Sequence, residues 1–329
     1  MSRKILVTGG CGFIGSALVR MLLNENYHVY NIDKGTYAAT FCDQNLIDHN
    51  KQYKRKIGDI CNLSMIADCL DEFQPDAIIH AAAESHVDNS IIEPGKFVQT
   101  NIVGTFNMLR AAEAYCNRYG RLNSFRFLHV SSDEVFGSLP HKNKLKFDEN
   151  SNYKPSSPYS ASKAGSDLLV QSWYETYKLP TIITNCSNNY GPWQHKEKLI
   201  PTVISRLKKG NKIPVYGDGK NIRDWIYVED HIDALLLVLK NGKIGERYCI
   251  GGETEKTNLE IAKDVYSCLK LKKLAIKLNN YDDIIDFVPD RKGHDLRYAI
   301  DNTKIRQLGW KPETQYKLGL EKTIDWYLK

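Results

Sequence analysis

The stretch KILVTGGCGFIGSALVRMLLNEN, residues 4–26, joins a short apolar run, a glycine-rich turn and a helical pattern. Its glycines at positions 9, 12 and 15 lie between the apolar run and the helical pattern. Glycine allows a tight turn, lets the backbone approach a pyrophosphate and permits close packing of a helix on a strand. The free amides of a helix N-terminus also favour an anion. The stretch therefore predicts a strand, a phosphate-binding loop and a helix.

Further along the chain, apolar runs of strand type alternate with helical patterns as far as about residue 187. This alternation predicts right-handed crossovers and a parallel sheet with helices on both of its faces. The predicted strands are residues 4–9, 28–33, 54–60, 76–83, 125–132 and 181–187, and the predicted helices are residues 16–26, 65–73, about 96–118 and 158–177.

The chain after residue 187 is less regular, with loops rich in Gly, Pro and Asn between shorter helices. We therefore predict an α/β fold: a Rossmann-type doubly wound parallel sheet with a smaller, interleaved α/β substrate-binding domain. The first domain would comprise residues 1–187 and a returning segment of about 222–249. The second domain would comprise residues 188–221 and 250–329.

The composition is that of an ordinary soluble globular protein of 329 residues, with 42% hydrophobic and 26% charged residues. The net charge of +6 is dispersed, which argues against a nucleic-acid-binding role. We expect neither a signal peptide nor a membrane span. The 8 cysteines are scattered without C-x-x-C or another metal-type cluster, so we expect free thiols, no metal and a cytoplasmic location.

Polar residues follow the predicted strands of the first domain. Asp33 ends the second strand, where a carboxylate would bind ribose hydroxyls and repel a 2′-phosphate. This favours NAD over NADP, although the neighbouring Lys34 weakens the argument. Asp59 and Ile60 follow the third strand and could flank an adenine, and residues 81–85 could line the nicotinamide side.

A second motif, YSASK, places Tyr159 and Lys163 at positions i and i+4 of a predicted helix, on one face. A nearby ammonium and a cationic nicotinamide would stabilise the Tyr159 phenolate and lower its pKa. The tyrosine could then take a hydroxyl proton while hydride leaves the same carbon. Ser132, at the end of the fifth strand, could hydrogen-bond that hydroxyl.

Two adjacent carboxylates, Asp133 and Glu134, follow Ser132 in the segment SSDEVFG. A plain sugar dehydrogenase or epimerase has no need of them. Dehydration requires one group to remove a proton beside a ketone and another to protonate the departing hydroxyl. Two acids of opposite protonation state suit this work, and their proximity helps to keep one of them protonated.

These motifs together resemble the dTDP-glucose 4,6-dehydratase family, nucleotide-sugar dehydratases of the extended short-chain dehydrogenase/reductase type, over residues 3–301. UDP-glucose 4,6-dehydratases carry closely similar motifs, so the nucleotide base stays open. The segments that carry the resemblance are TGGCGFIGS, AAESHVDNSI, NIVGT, SSDEVFG, YSASK, NNYGP, EKLIP, VYGDGKNIRDWIYVEDH and DRKGHDLRYAID.

The resemblance implies a role for each catalytic residue. Tyr159 would deprotonate the 4-hydroxyl with the support of Lys163 and Ser132. Glu134 would remove the proton at carbon 5, and Asp133 would protonate the leaving 6-hydroxyl. Tightly bound NAD would be regenerated in each turnover. Ser132 replaces the threonine usual in the family, and we expect this to change little.

The resemblance also implies two sets of binding residues. The cofactor set is Gly9, Gly12, Phe13, Ile14, Gly15, Asp33, Lys34, Thr36, Asp59, Ile60, Ala81, Ala83, Ser85, Thr100, Tyr159, Lys163 and Asn189. The substrate set is Ser85, Ser132, Asn188, Lys198, Leu199, Pro214, Val215, Tyr216, Arg223, Asn258, Asp290, Arg291 and His294. Helices 96–118 and 158–177 would pair with a second subunit as a four-helix bundle, which predicts a homodimer.

Three alternatives remain. An NDP-sugar 4-epimerase and a UDP-glucuronate decarboxylase could share the same scaffold. A non-enzymatic NAD-binding sensor is a rival from another class, but it would not need Ser132, Tyr159 and Lys163 together.

Overall fold

The computed structural model describes residues 3–39, 46, 49–141, 144–272 and 280–329. Its central feature is a seven-stranded sheet in the order β10-β6-β5-β4-β1-β2-β3. Every neighbouring pair in this sheet runs parallel. Its strands are β1 (Lys4–Thr8), β2 (His28–Asp33), β3 (Tyr53–Ile57), β4 (Ala77–His80), β5 (Arg126–Ser132), β6 (Thr181–Cys186) and β10 (Arg247–Ile250).

The sheet confirms the predicted fold class and the six predicted strands of the first domain. The predicted third and fourth strands extend too far, because β3 ends at Ile57 and β4 ends at His80. The residues after each of these ends contribute to the loops at the carboxyl edge of the sheet. β10 adds a seventh strand beside β6 at the edge of the sheet.

Helices cover both faces of the sheet, and each face has its own apolar core. Leu18 and Leu22 of one helix belong to the first core, and Met108 and Leu109 of another belong to the second. The helices are α1 (Phe13–Asn24), α2 (Leu63–Phe73), α3 (Val87–Ile92), α4 (Pro94–Phe97), α5 (Thr105–Tyr119), α6 (Pro158–Tyr177), α7 (Leu199–Lys208), α8 (Val228–Asn241), α9 (Asn258–Leu271), α10 (Thr303–Gln307) and α11 (Tyr316–Leu328).

The helix predicted over about residues 96–118 is not uniform. It begins as α4, continues as a π-helical segment over Val98–Gly104 and becomes the α-helix α5 at Thr105. A π-helical turn widens the helix and often lies at a functional site. Asn101, within this segment, donates a hydrogen bond to Glu84 O at 3.0 Å and accepts one from Glu84 N at 2.9 Å. The irregular segment therefore fixes the backbone that follows β4.

The remaining strands form two small sheets. β7 (Asn188–Tyr190), β9 (Ile222–Tyr227) and β11 (Glu255–Thr257) form one, and β8 (Ile213–Tyr216) pairs in parallel with β12 (Ile285–Val288) in the other. A separate core that includes Ile200, Val203 and Val265 lies beneath these sheets. The chain returns to the large sheet through α8, which packs on α1, and through β10. The division into two domains stays a prediction.

Seven cysteines in the described ranges carry free thiols, and Cys42 lies outside those ranges. None of the helices in the part of the chain that the structure describes combines the length and the apolarity needed to cross a bilayer.

Candidate active site

The glycine-rich loop joins β1 to α1, as the sequence predicted. Gly9 has φ +76°, and a Cβ at this position would lie 2.8 Å from Ala82 Cα. A Cβ at Gly15 would lie 2.1 Å from Gly9 O, so a side chain there would separate α1 from the loop. Gly12 caps α1 without a side-chain hydrogen bond, which leaves backbone amides available to a phosphate. The loop therefore has the geometry of a pyrophosphate cradle.

Asp33, at the end of β2, stabilises this loop. Its carboxylate accepts hydrogen bonds from Cys11 N at 2.9 Å and from Gly35 N at 2.7 Å. Each oxygen keeps a further lone pair for a ribose hydroxyl. Lys34 Nζ lies 2.6 Å from Asp59 Oδ2, so its charge is paired. This pairing removes the sequence-based objection that Lys34 would attract a 2′-phosphate.

A single cleft at the carboxyl ends of the large sheet is lined by every residue of the predicted cofactor set. It extends from the adenine end, at Asp59 and Ile60, to Tyr159 and Asn189. The carboxyl edge of an open parallel sheet is where ligands of this fold class bind. The cleft also contains Ser132, Asp133 and Glu134, so the structure brings the predicted catalytic residues and the phosphate loop into one space.

Helix α6 presents Tyr159 and Lys163 to this cleft. It begins with Pro158 after a capping box between Ser157 and Ser160, in which each side chain receives the other's backbone amide. The cap fixes the first turn of the helix, and Tyr159 lies within that turn. Lys163 Nζ donates a hydrogen bond to Val130 O of β5 at 2.9 Å. The sequence-predicted pair is thus anchored to the sheet.

Burial of Tyr159 acts against the lowered pKa that the sequence predicted for it beside an ammonium and a bound nicotinamide. Burial raises the pKa of Tyr159 well above its ordinary value, and the charge of Glu134 raises it further. A side-chain hydrogen bond with Ser132 acts in the opposite direction. The sequence could not show how deeply the phenol is buried, so this opposing effect was not predicted.

Asp133 and Glu134 form a short 3₁₀-helix directly after β5. Burial raises the pKa of Asp133 well above its ordinary value, and the Glu134 charge adds to the shift. Burial also raises the pKa of Glu134, but the charges of Arg223 and Lys198 oppose this shift. Asp133 Oδ2 is buried and has no hydrogen-bond partner among the described residues.

The predicted substrate residues fall into two groups. Ser85, Ser132, Asn188 and Lys198 line the cleft itself. Lys198 Nζ is held 3.0 Å from Ser85 O by a hydrogen bond. The others lie outside the lining of this cleft: Leu199, Pro214, Val215, Tyr216, Arg223, Asn258, Asp290, Arg291 and His294.

Within this outer group, Arg223 is fixed by the second domain. Its guanidinium donates to Asp295 O at 3.0 Å and lies 4.2 Å from the centre of the Tyr298 ring. Neither of these two contacts involves a carboxylate, so both are compatible with the binding of an anionic ligand by Arg223. The Val215 side chain is buried in the core beneath the small sheets, so a ligand could reach only its backbone.

Arg291 forms a bidentate ion pair with Asp88 of α3, in which Nε lies 2.6 Å from one carboxylate oxygen and NH2 lies 3.0 Å from the other. Tyr216 OH donates to the same carboxylate at 3.2 Å. His294 Nδ1 lies 2.7 Å from Asp290 Oδ1. These contacts join the outer substrate residues to the segment that follows β4.

Sequence reasoning missed two acidic residues that the structure places near the site, and it included Glu84 only as part of residues 81–85. Glu84 lines the cleft, Asp88 holds Arg291, and Asp167 is buried beside the sheet. Asp167 lies one turn after Lys163 on the same face of the predicted helix, and this i, i+4 spacing was a signal that could have revealed it. Glu84 and Asp88 lie within the ESHVD segment, but only their contacts distinguish them from surface acids.

The fold and the cleft define a dinucleotide-binding α/β protein with a Tyr-Lys pair and two buried acids at the end of its cofactor site. A family model described as GDP-mannose 4,6 dehydratase matches residues 6–323. The chain belongs to this family.

Relatives with established names share the full length of the chain. The dTDP-glucose 4,6-dehydratase of Haemophilus influenzae is 51% identical over 333 residues, which cover 99% of this chain and 98% of the relative. A solved structure of the dTDP-glucose 4,6-dehydratase DesIV from Streptomyces venezuelae, a double mutant with NAD bound, has a TM-score of 0.90 at 41% identity, covering 99% of this chain and 97% of that chain.

A UDP-glucose 4-epimerase from Thermotoga maritima shares the fold at greater distance. Its structure with UDP-glucose has a TM-score of 0.86 at 25% identity and covers 99% of this chain and 98% of that chain. The backbone alone therefore does not separate dehydratases from epimerases, and the separation depends on the side chains of the site.

Proposed function

We propose that the protein is an NAD-dependent lyase, a dTDP-glucose 4,6-dehydratase that forms the 4-keto-6-deoxy-glucose nucleotide. The observation that carries this proposal is the presence of Asp133, Glu134, Tyr159 and Lys163 in the cleft that starts at the phosphate loop. The identity of about half of all residues with dTDP-glucose 4,6-dehydratases supports it and favours thymidine over uridine as the nucleotide.

The residues present fit NAD. The loop at Gly9 and Gly15 has no room for side chains, the first turn of α1 offers free amides, and Asp33 presents a carboxylate to a ribose. When bound, NAD would accept a hydride from sugar carbon 4 and return it to carbon 6, so that it is regenerated within each turnover. Tyr159 and Lys163 would lie at its reactive end.

The first proton transfer would occur at Tyr159. Tyr159, as its phenolate, would take the proton of the 4-hydroxyl, and Ser132 would orient that hydroxyl with a hydrogen bond. Because burial and the Glu134 charge raise the pKa of Tyr159, this step requires positive charge nearby. The Lys163 ammonium, at the end of its hydrogen bond to Val130 O, is one source of that charge.

Elimination would use the two adjacent acids in different roles. Glu134 would remove the proton at carbon 5, and Asp133 would give its proton to the 6-hydroxyl, which leaves as water. Glu134 would then return its proton to carbon 5 as hydride reaches carbon 6. The proton held by Tyr159 balances the one that Asp133 loses. The stronger rise in the pKa of Asp133 supports its role as the acid.

The substrate phosphates would lie between the cleft and the second domain. The charges of Lys198 and Arg291 both act on Glu134, and the Arg291 charge also acts on Lys198. Arg223 adds a third positive charge. Guanidinium and ammonium groups are suitable partners for a diphosphate.

We also propose a homodimer that forms through the π-helical segment, α5 and α6. On these elements Val98 is 49% exposed and Leu168 is 52% exposed, whereas Leu109 and Trp173 are buried. Phe106 and Trp173 pack edge to face at 5.7 Å between their ring centres and hold α5 against α6. Light scattering should give twice the chain mass, and Leu168→Glu should shift the protein toward the monomer.

The function is tested by incubating the purified protein with dTDP-glucose and measuring the product mass. A dehydratase gives a product lighter by one water, an epimerase gives no mass change, and a decarboxylase releases carbon dioxide from a glucuronate nucleotide. UDP-glucose assayed in parallel should react more slowly. Tyr159→Phe and Glu134→Gln should abolish turnover, and unchanged activity in both variants would overturn the assignment.

A further inference from the structure

The Lys163 side chain is a cation inside the protein. The residue is only 4% exposed, and its hydrogen bond runs to a neutral acceptor, Val130 O. Burial lowers the pKa of Lys163, because an ammonium loses its hydration in this position. A buried cation needs a compensating anion if it is to stay charged.

The titratable groups that face Lys163 from the neighbouring elements are neutral or of raised pKa. Burial lowers the pKa of His129 on β5 to about 4 and also lowers that of His80 on β4. Burial raises the pKa of the Cys186 thiol on β6 to about 12. Burial likewise raises the pKa of the other acids that line the cleft with Lys163: Asp133, Glu134 and Tyr159.

Asp167 differs from all of these groups. It lies one helical turn after Lys163 on α6 and is fully buried. Its Oδ2 accepts hydrogen bonds from Asn185 Nδ2 at 3.0 Å and from Tyr153 OH at 3.2 Å, and its Oδ1 lies 3.3 Å from His129 Nε2. The two donors, Asn185 and Tyr153, come from different segments of the chain, and both favour a carboxylate over a carboxylic acid.

We propose that Asp167 is the buried counter-ion that keeps the Lys163 side chain cationic, and hence a positioning residue for proton transfer at Tyr159. The charge of Asp167 opposes the effect of burial on the pKa of Lys163. Burial alone would raise the pKa of Asp167, but the contacts with His129, the Lys163 charge and the Asn185 amide hold it below its ordinary value. Each group of the pair therefore keeps the other ionised.

The assignment of Asp167 to proton transfer rests on the proposed function, but the pairing with Lys163 does not. Asp167 has no place in the cleft lining, so it would act only through Lys163. A neutral amide at this position should let Lys163 lose its proton at lower pH, and the Tyr159 phenolate would then lose its nearby positive charge.

The first test is Asp167→Asn in the holoenzyme, followed through the absorbance of the reduced cofactor after rapid mixing with dTDP-glucose. This step precedes the use of Asp133, so the alkaline limb of its pH–rate profile reports on the loss of the Lys163 proton, whereas Tyr159, which must be ionised, sets the acid limb. We expect the midpoint of the alkaline limb to fall by about one pH unit or more, with about a tenfold loss of rate above it. An unchanged midpoint would overturn the proposal, even if the rate fell at every pH.

Asp230→Asn is the matched control. Asp230 is also a buried aspartate, and it accepts hydrogen bonds from Thr314 N at 3.0 Å and Thr314 Oγ1 at 2.9 Å, outside the cleft lining. The control should weaken folding without moving the pH midpoint. A midpoint shift in the control as large as that of Asp167→Asn would show that buried aspartates affect the limb only through general stability.

A second test needs no activity. Asp167→Asn alone and Lys163→Met alone each leave one buried charge unpaired, whereas the double variant leaves none. We expect the double variant to tolerate more denaturant than the Asp167→Asn variant, even if the latter does not fold. A double variant no more stable than the single one would refute the pairing. If the wild-type protein fails to dehydrate dTDP-glucose, the proposed function falls while this test still decides the pairing.

Discussion

Asp133 after β5 and Asp167 in α6 are both buried away from water, but the pKa of Asp133 is raised and the pKa of Asp167 is lowered. Burial is the largest influence on the pKa of both. Asp133 has a carboxylate neighbour and a weak contact, 3.4 Å, with the Ser132 hydroxyl, and its pKa rises well above the ordinary value. Asp167 has Asn185, Tyr153 and the Lys163 charge, and its pKa falls.

The difference shows that burial alone does not set the protonation state of a carboxyl group. The donors around Asp167 stabilise its charged form, so it serves as a fixed anion. The surroundings of Asp133 disfavour its charged form, so it keeps a proton that it can give away. The protein would thus use the same side chain as an acid in the cleft, at Asp133, and as a counter-ion outside the cleft lining, at Asp167.

The largest effect expected from this comparison is on catalysis by Asp133. Asp133→Asn retains the shape of the side chain but removes the proton that the leaving hydroxyl needs. We expect the rate of product formation to fall by about 10²–10⁴-fold. The absorbance of reduced cofactor should still appear after mixing with dTDP-glucose, because hydride removal precedes elimination. A normal product rate would mean that another group supplies the proton.

The next effect is on folding and concerns Asp167. Asp167→Asn leaves the Lys163 ammonium buried without its anion, which should cost about 3–5 kcal/mol of unfolding free energy at neutral pH. Because the pKa of Asp167 is lowered in the folded state, its contribution is present above the ordinary carboxyl pKa and is lost as the pH falls through the folded value. Denaturant unfolding of the wild-type protein and the variant at several pH values measures the loss of stability and its dependence on pH.

The contribution of Asp133 to the free energy of unfolding should change with pH in the opposite direction to that of Asp167. Its folded pKa is raised, so its contribution to stability is complete below the ordinary carboxyl pKa and is lost as the pH rises through the folded value. Asp133→Asn should therefore stabilise the protein at pH about 8, by about 1–3 kcal/mol. Calorimetry at acidic and at mildly alkaline pH distinguishes the two aspartates. Destabilisation of this variant at the higher pH would contradict the comparison.

The smallest effect is expected from Tyr153→Phe, which removes one of the hydrogen bonds to Asp167 and keeps the ring that stacks on Phe136. We expect a loss of about 1 kcal/mol in unfolding free energy and little change in rate at neutral pH. Ser151→Ala, which removes a hydroxyl bonded to Asp148 away from the cleft, is a suitable comparison. A larger loss of activity in Tyr153→Phe than in Asp167→Asn would not be compatible with the roles assigned.

The sequence determined the fold class and most of the cofactor site. These features are local patterns that can be recognised in the amino-acid sequence: the alternation of strands and helices, the glycines of the phosphate loop, and Asp33. The pairing of Tyr159 with Lys163 and the succession of Ser132, Asp133 and Glu134 are also matters of spacing. For this reason all residues of the predicted cofactor set line one cleft.

The pKa values and the ion pairs of these groups depend on the tertiary structure and could not be predicted from the sequence. The raised pKa of Tyr159, the contrast between Asp133 and Asp167, and the ion pair between Asp88 and Arg291 depend on burial and on contacts between distant segments. The π-helical turn at Val98–Gly104 likewise follows from packing, since its sequence has an ordinary helical pattern. Spacing along the chain specifies which side chains share a face of a helix or strand. The burial of a side chain away from water, and its contacts with residues from distant segments, arise only when the chain folds.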